Sequence, residues 1–333
     1  MRKRKRIACF CCVLLSPCLL PAQQLGKDWG EATPHAGWMA FPQAMVFNDK
    51  MWVFAWPAFP GSPRSEVWYS SDGAGWTTAT VSPSWLYRDG HASVAFGGKI
   101  WIVGGQHETS CLNDVWYSSD GVTWTSATLS APWSPRVEHT SVVFDGKMWV
   151  IGGWQNGDPP SAKNDVWYSS DGATWTSATL SAPWAARSGH TAVVFDGKIW
   201  VIGGVTLTNY KNDVWYSSDG VNWTSATLSA SWAPRYGHSS VVHDGKVWLI
   251  GGHILDHPWN NDVWYSSDGV HWTSATLGAS WPARGGQTAV VYDNKIWIMG
   301  GSNGWSPWYE SLNDVWYSPG FYSVGVPTWR LYP

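Results

Sequence analysis

The chain is built from short apolar runs separated by glycine-containing turns, and one stretch shows the whole pattern. Thr140–Phe144 is followed by Asp145-Gly146 and then by Lys147–Ile151, which ends at Gly152-Gly153. Asp-Gly tolerates the positive φ that a two-residue hairpin turn demands at both central positions, and β-branched and aromatic residues flank it on either side. After a variable stretch from Trp154 to Lys163 come a third run, Asp165–Ser169, a second turn at Ser170-Asp171-Gly172, and a fourth run, Trp175–Thr179. The pattern predicts a four-stranded antiparallel meander, and helical periodicity is almost absent from the chain.

This unit recurs. Trp52, Trp101, Trp149, Trp200, Trp248 and Trp297 follow one another at intervals of 49, 48, 51, 48 and 49 residues. Trp68, Trp116, Trp167, Trp215, Trp264 and Trp316 keep the same rhythm. A sheet that is apolar on both faces cannot bury itself alone, so the repeats must stack around an axis. The fold class expected is all-β, a six-bladed β-propeller with repeats starting near residues 39, 88, 136, 187, 235 and 284. An unpaired last blade would leave a strand edge open. The segment Gly26–Thr33 with Trp38 aligns without a gap to Gly121–Thr128 with Trp133, which are a fourth strand and the link after it. It is therefore expected to complete the sixth blade beside Asp314–Ser318, with Pro327–Leu331 as the rival segment.

The first residues follow a different logic. Arg2, Lys3, Arg4, Lys5 and Arg6 precede an apolar stretch from Ile7 to Leu20 that falls short of the roughly 20 residues needed to span a bilayer. This reads as a signal peptide over residues 1–22, cleaved after Ala22, with a lipid anchor at Cys18 as the alternative, and residues 23–333 form a single propeller domain. The expected location is periplasmic or extracellular. Removing the five basic residues takes the formal charge from −3 to −8, which argues against nucleic acid or an anionic membrane surface as a partner. Four of the five cysteines lie in the leader, leaving Cys111 as a small loop residue and no disulfide framework. With 44% hydrophobic and 14% charged residues the chain is too apolar to be disordered, and a monomer without cofactor is expected.

The order Arg-x-x-His, apolar strand, Gly-Gly, Asn-Asp-x-Trp and a later Trp is clearest in Arg136, His139, Gly152, Gly153, Asn164, Asp165, Trp167 and Trp175. It resembles the kelch repeat of galactose-oxidase-type propellers over nearly all of residues 26–333. Two units depart from it: the first has Ala55-Trp56 in place of Gly-Gly and no Arg-x-x-His, and the sixth has Gln287 at the histidine position. The turn Ser118–Trp124 also resembles the Asp-box of sialidase-type propellers, one residue short, and reads as hairpin chemistry. Kelch propellers include enzymes, lectin-like binders and protein-interaction platforms, so the resemblance implies fold more sharply than function.

In such a meander the connection between strands two and three shares one side, here called face one, with the links between blades. The second-face turns are nearly constant among the repeats, whereas the face-one loops differ, as a recognition surface requires. Those loops carry Phe59, Trp154, Tyr210, Trp259, Trp305, Trp308 and Tyr309, rigid rings suited to a sugar face or a partner side chain. The links add Arg88, Arg136, Arg187, Arg235 and Arg284, which either converge on the channel mouth or hold neighbouring blades together. His91, His139, His190 and His238 start the innermost strands but are spread around a ring, unlike metal ligands, and no metal site is expected. The leading expectation is a recognition module for a glycan or protein. A carbohydrate-active enzyme would be an isomerase or mutarotase, a hydrolase or an oxidase-like propeller, and it would use Glu108, Glu138, Asp158, Asp256 or Glu310, the acidic residues unique to single repeats. Copper-radical chemistry as implied by the resemblance needs a cysteine that only Cys111 could supply. A structural role in an envelope or extracellular assembly is the remaining class.

Overall fold

The structure, a computed structural model, describes residues 24–38, 42–55, 65–157, 160–255, 259–304 and 310–318. The expected signal peptide, Cys18 and Pro327–Leu331 lie outside these residues. Six antiparallel blades form a six-bladed β-propeller, each a meander of four strands. No helix occurs among the described residues, so none there is long and apolar enough to cross a membrane.

The third blade comprises Thr140–Phe144, Lys147–Gln155, Ser161–Ser169 and Thr176–Thr179. Phe144 faces Lys147 across the hairpin, and Asp145 and Gly146 sit at φ 48° and 66°. Both turn residues are thus left-handed, as the Asp-Gly signal anticipates. The second strand is buried from Met148 through Gly153, because a blade of this kind has a neighbour on either side.

The expected face-one loops are shorter than the sequence suggests. Pairing between strands two and three resumes beyond Gly-Gly, with Gly153 opposite Lys163 and Gln155 opposite Ser161, after a register shift between Ile151 and Gly153. Gly152 and Gly153 adopt φ 58° and 107° and form a bulge that bends the ladder without ending it. A side chain on Gly152 would come within 2.8 Å of His190 Cε1 in the next blade. In the second blade the same continuation places Cys111 in a strand, opposite Gln106, and not in a loop.

Each apolar cluster is shared between two blades. One joins Val94, Trp101 and Val103 of the second blade to Met148 and Val150 of the third, roofed by Trp133 and Trp175. The strand-two tryptophans also reach the second-face turns of the following blade. A Cβ on Gly172 would lie 2.1 Å from Trp101 Cζ3, so only glycine fits there.

The N-terminal strand closes the ring. Gly30–Thr33 pairs antiparallel with Val315–Ser318, as the alignment to the fourth strands predicts. The bonds within an ordinary blade are reproduced between the two ends of the chain. Gly26 N–H donates to Ser318 Oγ as Gly121 N–H does to Ser118 Oγ. Asn313 Nδ2 donates to the carbonyl of Ala36 at 2.8 Å, as Asn113 Nδ2 does to that of Ala131. Trp29 meets Trp281 edge to face at 6.0 Å, matching Trp175 on Trp133.

Removing residues 24–38 takes away the buried Leu25 and Trp38 and exposes the edge of Val315–Ser318. A loss of about 5 kcal/mol or more is expected, lowering the melting temperature by about 10 °C or more. An unchanged melting curve would refute closure by this strand.

Candidate functional site

The link arginines are built into the frame. All five are buried, with Arg136, Arg187, Arg235 and Arg284 at 0% exposure and Arg88 at 1%. Arg136 donates through Nη1 and Nη2 to both oxygens of Asp165, at 2.7 and 2.8 Å, and through Nη1 to the carbonyl of Gly152. Its guanidinium lies over Trp133 at 5.6 Å. Asp165 Oδ2 also accepts the indole N–H of Trp167. Burial pushes the Asp165 carboxyl up, but the bonds and charge of Arg136 outweigh this and hold it below the usual range. The same pairs recur as Arg88–Asp114, Arg187–Asp213, Arg235–Asp262 and Arg284–Asp314. The expectation that these guanidinium groups offer themselves to a ligand is corrected on physical grounds: their donors are committed and covered.

The histidines pack between blades. His91, His139, His190 and His238 are 3–5% exposed. Burial, with the nearby arginine charge adding, lowers His91, His190 and His238 to about 3, and lowers His139 well below its ordinary value for the same reasons. The rings are neutral at physiological pH. His190 and His238 meet Thr140 and Thr191 hydroxyls of the preceding blade at 3.2 and 3.0 Å. Gln287 fills the equivalent position in the sixth blade, its amide donating to the Ile250 carbonyl at 2.8 Å, which accounts for that departure from the repeat. Among the described residues no group of three or more His, Cys, Asp or Glu side chains is placed to hold a metal ion.

Inside this ring lies a cavity of about 920 Å³ that opens on face one. Small residues of the innermost strands, including Ala44, Ser93, Ala192 and Ala289, keep it open. At its mouth the residue after each link arginine pairs with the end of strand two, and each pair is different. Asp89 faces Gln106, Val137 faces Trp154, Ser188 faces Val205, Tyr236 faces His253 and Gly285 faces Ser302. The next residues join hands around the axis: Glu138 N–H donates to the Gly90 carbonyl, Gly189 to Glu138, Gly237 to Gly189 and Gly286 to Gly237. All five are left-handed, at φ 52° to 68°, and four of them are glycine. Glu138 is the exception, at φ 54°, a conformation that costs a side chain about 1–2 kcal/mol.

The mouth has two unlike walls. In the second and third blades stand Asp89 and Glu138, with Glu138 Oε2 accepting the Ser188 hydroxyl at 2.9 Å. Burial pushes the Asp89 carboxyl up and the charge of Glu138 adds to it, so the two carboxylates feel one another. Beside them Trp154 donates to Asn156, which donates to Gln106 at 2.8 Å. The opposite wall, in the fifth blade, is aromatic. Tyr236 lies 4.9 Å from His253, which meets Trp259 edge to face at 5.1 Å. Trp259 is anchored by its indole N–H on the Gly304 carbonyl at 2.7 Å.

The repeat architecture has a counterpart among known families. The family described as the KLHDC2/KLHL20/DRC7 kelch-repeats domain matches residues 38–204 and, overlapping, 138–318. The chain belongs to the kelch-repeat family. A solved structure titled "Structure of YjhT" superimposes on this kelch propeller with a TM-score of 0.70, over 85% of this chain and 96% of that one. At 15% identity that likeness is one of fold. No curated protein matches the sequence.

Of the loop aromatics that the sequence singles out, Trp154 and Trp259 line the mouth of the kelch propeller. Tyr210 stands behind the aromatic wall, 5.0 Å from Tyr236 and 5.6 Å from His253. Phe59, Trp305, Trp308 and Tyr309 lie outside the described residues, as do Asp158 and Asp256. Glu138 is at the mouth, whereas Glu108 accepts the Tyr87 hydroxyl and Glu310 is exposed in a short peripheral strand. Cys111 Sγ accepts the Asn156 N–H, and burial pushes its thiol up, away from nucleophilic use. Gln106, Asn156 and His253 fall within the variable face-one loops, whereas Asp89, Ser188 and Tyr236 go unnoticed in a reading of loops and motifs. The signal for Asp89, Ser188 and Tyr236 is the variable column immediately after each link arginine, and Gln106 and His253 are the strand-two partners of that column.

Arg136→Ala would leave Asp165 buried without its partner and is expected to cost about 3–5 kcal/mol in a denaturant titration. The histidines give a pH dependence of known sign. Because the folded value of His190 is depressed to about 3, its contribution is complete above the ordinary value near 6.5 and is lost as pH falls towards 3. Stability measured by urea melts should fall from pH 7 to pH 4, and His190→Gln, which copies Gln287, should fold and flatten that slope.

Proposed function

We propose that this kelch propeller is an exported recognition module that binds a glycan at the face-one mouth of its channel. The observation that carries this reading is convergence. The residues that break the repeat symmetry, acidic and amide groups on one wall and aromatic rings packed on one another on the other, meet at one opening. Carboxylates, amides and hydroxyls suit the alternating donors and acceptors of sugar hydroxyls, while Trp259 and Tyr236 offer faces for the apolar side of a pyranose ring. The Glu138 backbone supports the same reading, since a strained conformation retained where glycine would serve marks a side chain kept for its function. Export rests on the basic and apolar pattern of the leader.

A catalytic reading has one observation in its favour, the raised Asp89 carboxyl beside Glu138, which would supply an acid next to a base. Turnover of any sugar that binds, abolished in Asp89→Asn, would establish it.

The direct test is a thermal-shift screen of residues 23–333 against mono- and oligosaccharides, short peptides and divalent metals. A ligand at a hundredfold excess over its Kd stabilises by about 2.7 kcal/mol, enough to be seen. A glycan-dependent shift is expected, with affinity reduced at least tenfold in Trp154→Ala and Trp259→Ala. Shifts produced by peptides alone would replace the glycan with a protein partner.

A further inference from the structure

The charge balance of the channel mouth narrows the ligand class. Among the described residues lining the cavity there is no lysine or arginine, so Asp89 and Glu138 face no fixed positive partner there. The five link arginines are spent on their own aspartates, and the lining histidines of known direction, His91, His139, His190, His238 and His253, are all pushed toward the neutral form by burial. Two carboxylates therefore share one wall of a partly enclosed space, where low dielectric strengthens their attraction for a cation.

A second, independent feature stands opposite the carboxylates. Across the opening, Tyr236, His253 and Trp259 form an aromatic face, which attracts the polarised C–H face of a ring and any neighbouring cation. In a six-bladed ring the second and fifth blades stand opposite each other, so acidic and aromatic walls address the two sides of one ligand.

We infer that the mouth selects amine-bearing sugars, taking a protonated amino group against Asp89 and Glu138 while the pyranose ring rests on the Tyr236–His253–Trp259 wall. The inference rests on the glycan reading and sharpens it to glucosamine-type saccharides whose amines are not acetylated. Acetylation removes the charge and turns a strong donor into an amide, so the discrimination is electrostatic and weakens as salt is added. Glu138 is then the residue for which the left-handed backbone is tolerated, and Ser188 is a positioning residue that fixes the carboxylate by its hydrogen bond.

Isothermal titration of the mature protein near neutral pH compares a glucosamine tetramer, its fully N-acetylated form, a β-linked glucose tetramer and tetralysine. The glucosamine tetramer is expected to bind at least tenfold more tightly than either uncharged sugar, with the preference falling in high salt. Asp89→Asn and Glu138→Gln should each remove at least tenfold of it. Glu138→Gly restores the residue that four other blades carry, and it should melt no lower than the parent while losing the preference, which separates recognition from folding. Equal binding of charged and uncharged sugars would overturn the amine selection and leave the glycan reading standing. Binding of tetralysine without any sugar would overturn the glycan reading, and binding of no probe would overturn both.

Discussion

No blade of this propeller is stable as a separate object, because its central strands are apolar on both faces. Met148, Val150 and Ile151 are buried completely, but against different neighbours: Met148 and Val150 face the second blade, and Ile151 faces the fourth. Everything else follows from having to satisfy both faces in turn. The strand-two tryptophans can pack only if the following blade presents a glycine, and the link arginines tie each connection to Gly-Gly and to the aspartate of strand three. The sixth blade has to be completed from the other end of the chain, or its two faces would be buried along an open edge.

This division of labour separates frame from site. Groups repeated in nearly every blade belong to the frame: the five arginines are spent on their aspartates, and the channel histidines are buried between blades, His190 and His238 against hydroxyls of the preceding blade. Among the groups that differ between blades, Asp89, Glu138, Ser188 and Tyr236 sit one or two residues further along the same links, where the chain passes over the channel, and Gln106, Trp154 and His253 face that column from the ends of strand two. A residue there can change without touching a blade-to-blade core. Glu138 shows the exchange between stability and use, since glycine in the same place would relax the backbone and remove the only acidic side chain at that step of the ring among the described residues.

The fold was legible because its determinants are local and repeated. Asp145-Gly146 states its hairpin, Trp149 states the period, and the match of Gly26–Thr33 to Gly121–Thr128 states the closure. The site was only partly legible. Gly152-Gly153 reads as the end of a strand, yet the bulge lets pairing continue, so loops drawn from the sequence are too long and Cys111 is misplaced. Arginine suggests ligand contact by its chemistry, but its burial depends on Asp165, 29 residues further along the same repeat, and only the folded third strand brings the two together. Asp89 and Tyr236 belong to no motif, and only the closed ring brings them to opposite sides of one opening.

Closure by Gly30–Thr33 also sets a timetable. Gly26 and Ser318, joined by a hydrogen bond, are 292 positions apart, and bringing such distant segments together costs about 5 kcal/mol of chain entropy by the logarithmic dependence on loop length. During synthesis at about 5–20 residues per second, the first strand waits for roughly 15–60 s before its partner exists. A long apolar edge left waiting would find other chains. This one is four residues, Gly30-Glu31-Ala32-Thr33, short and carrying a charge at its centre, so the segment that finishes the ring is also one of the least hazardous to leave unpaired.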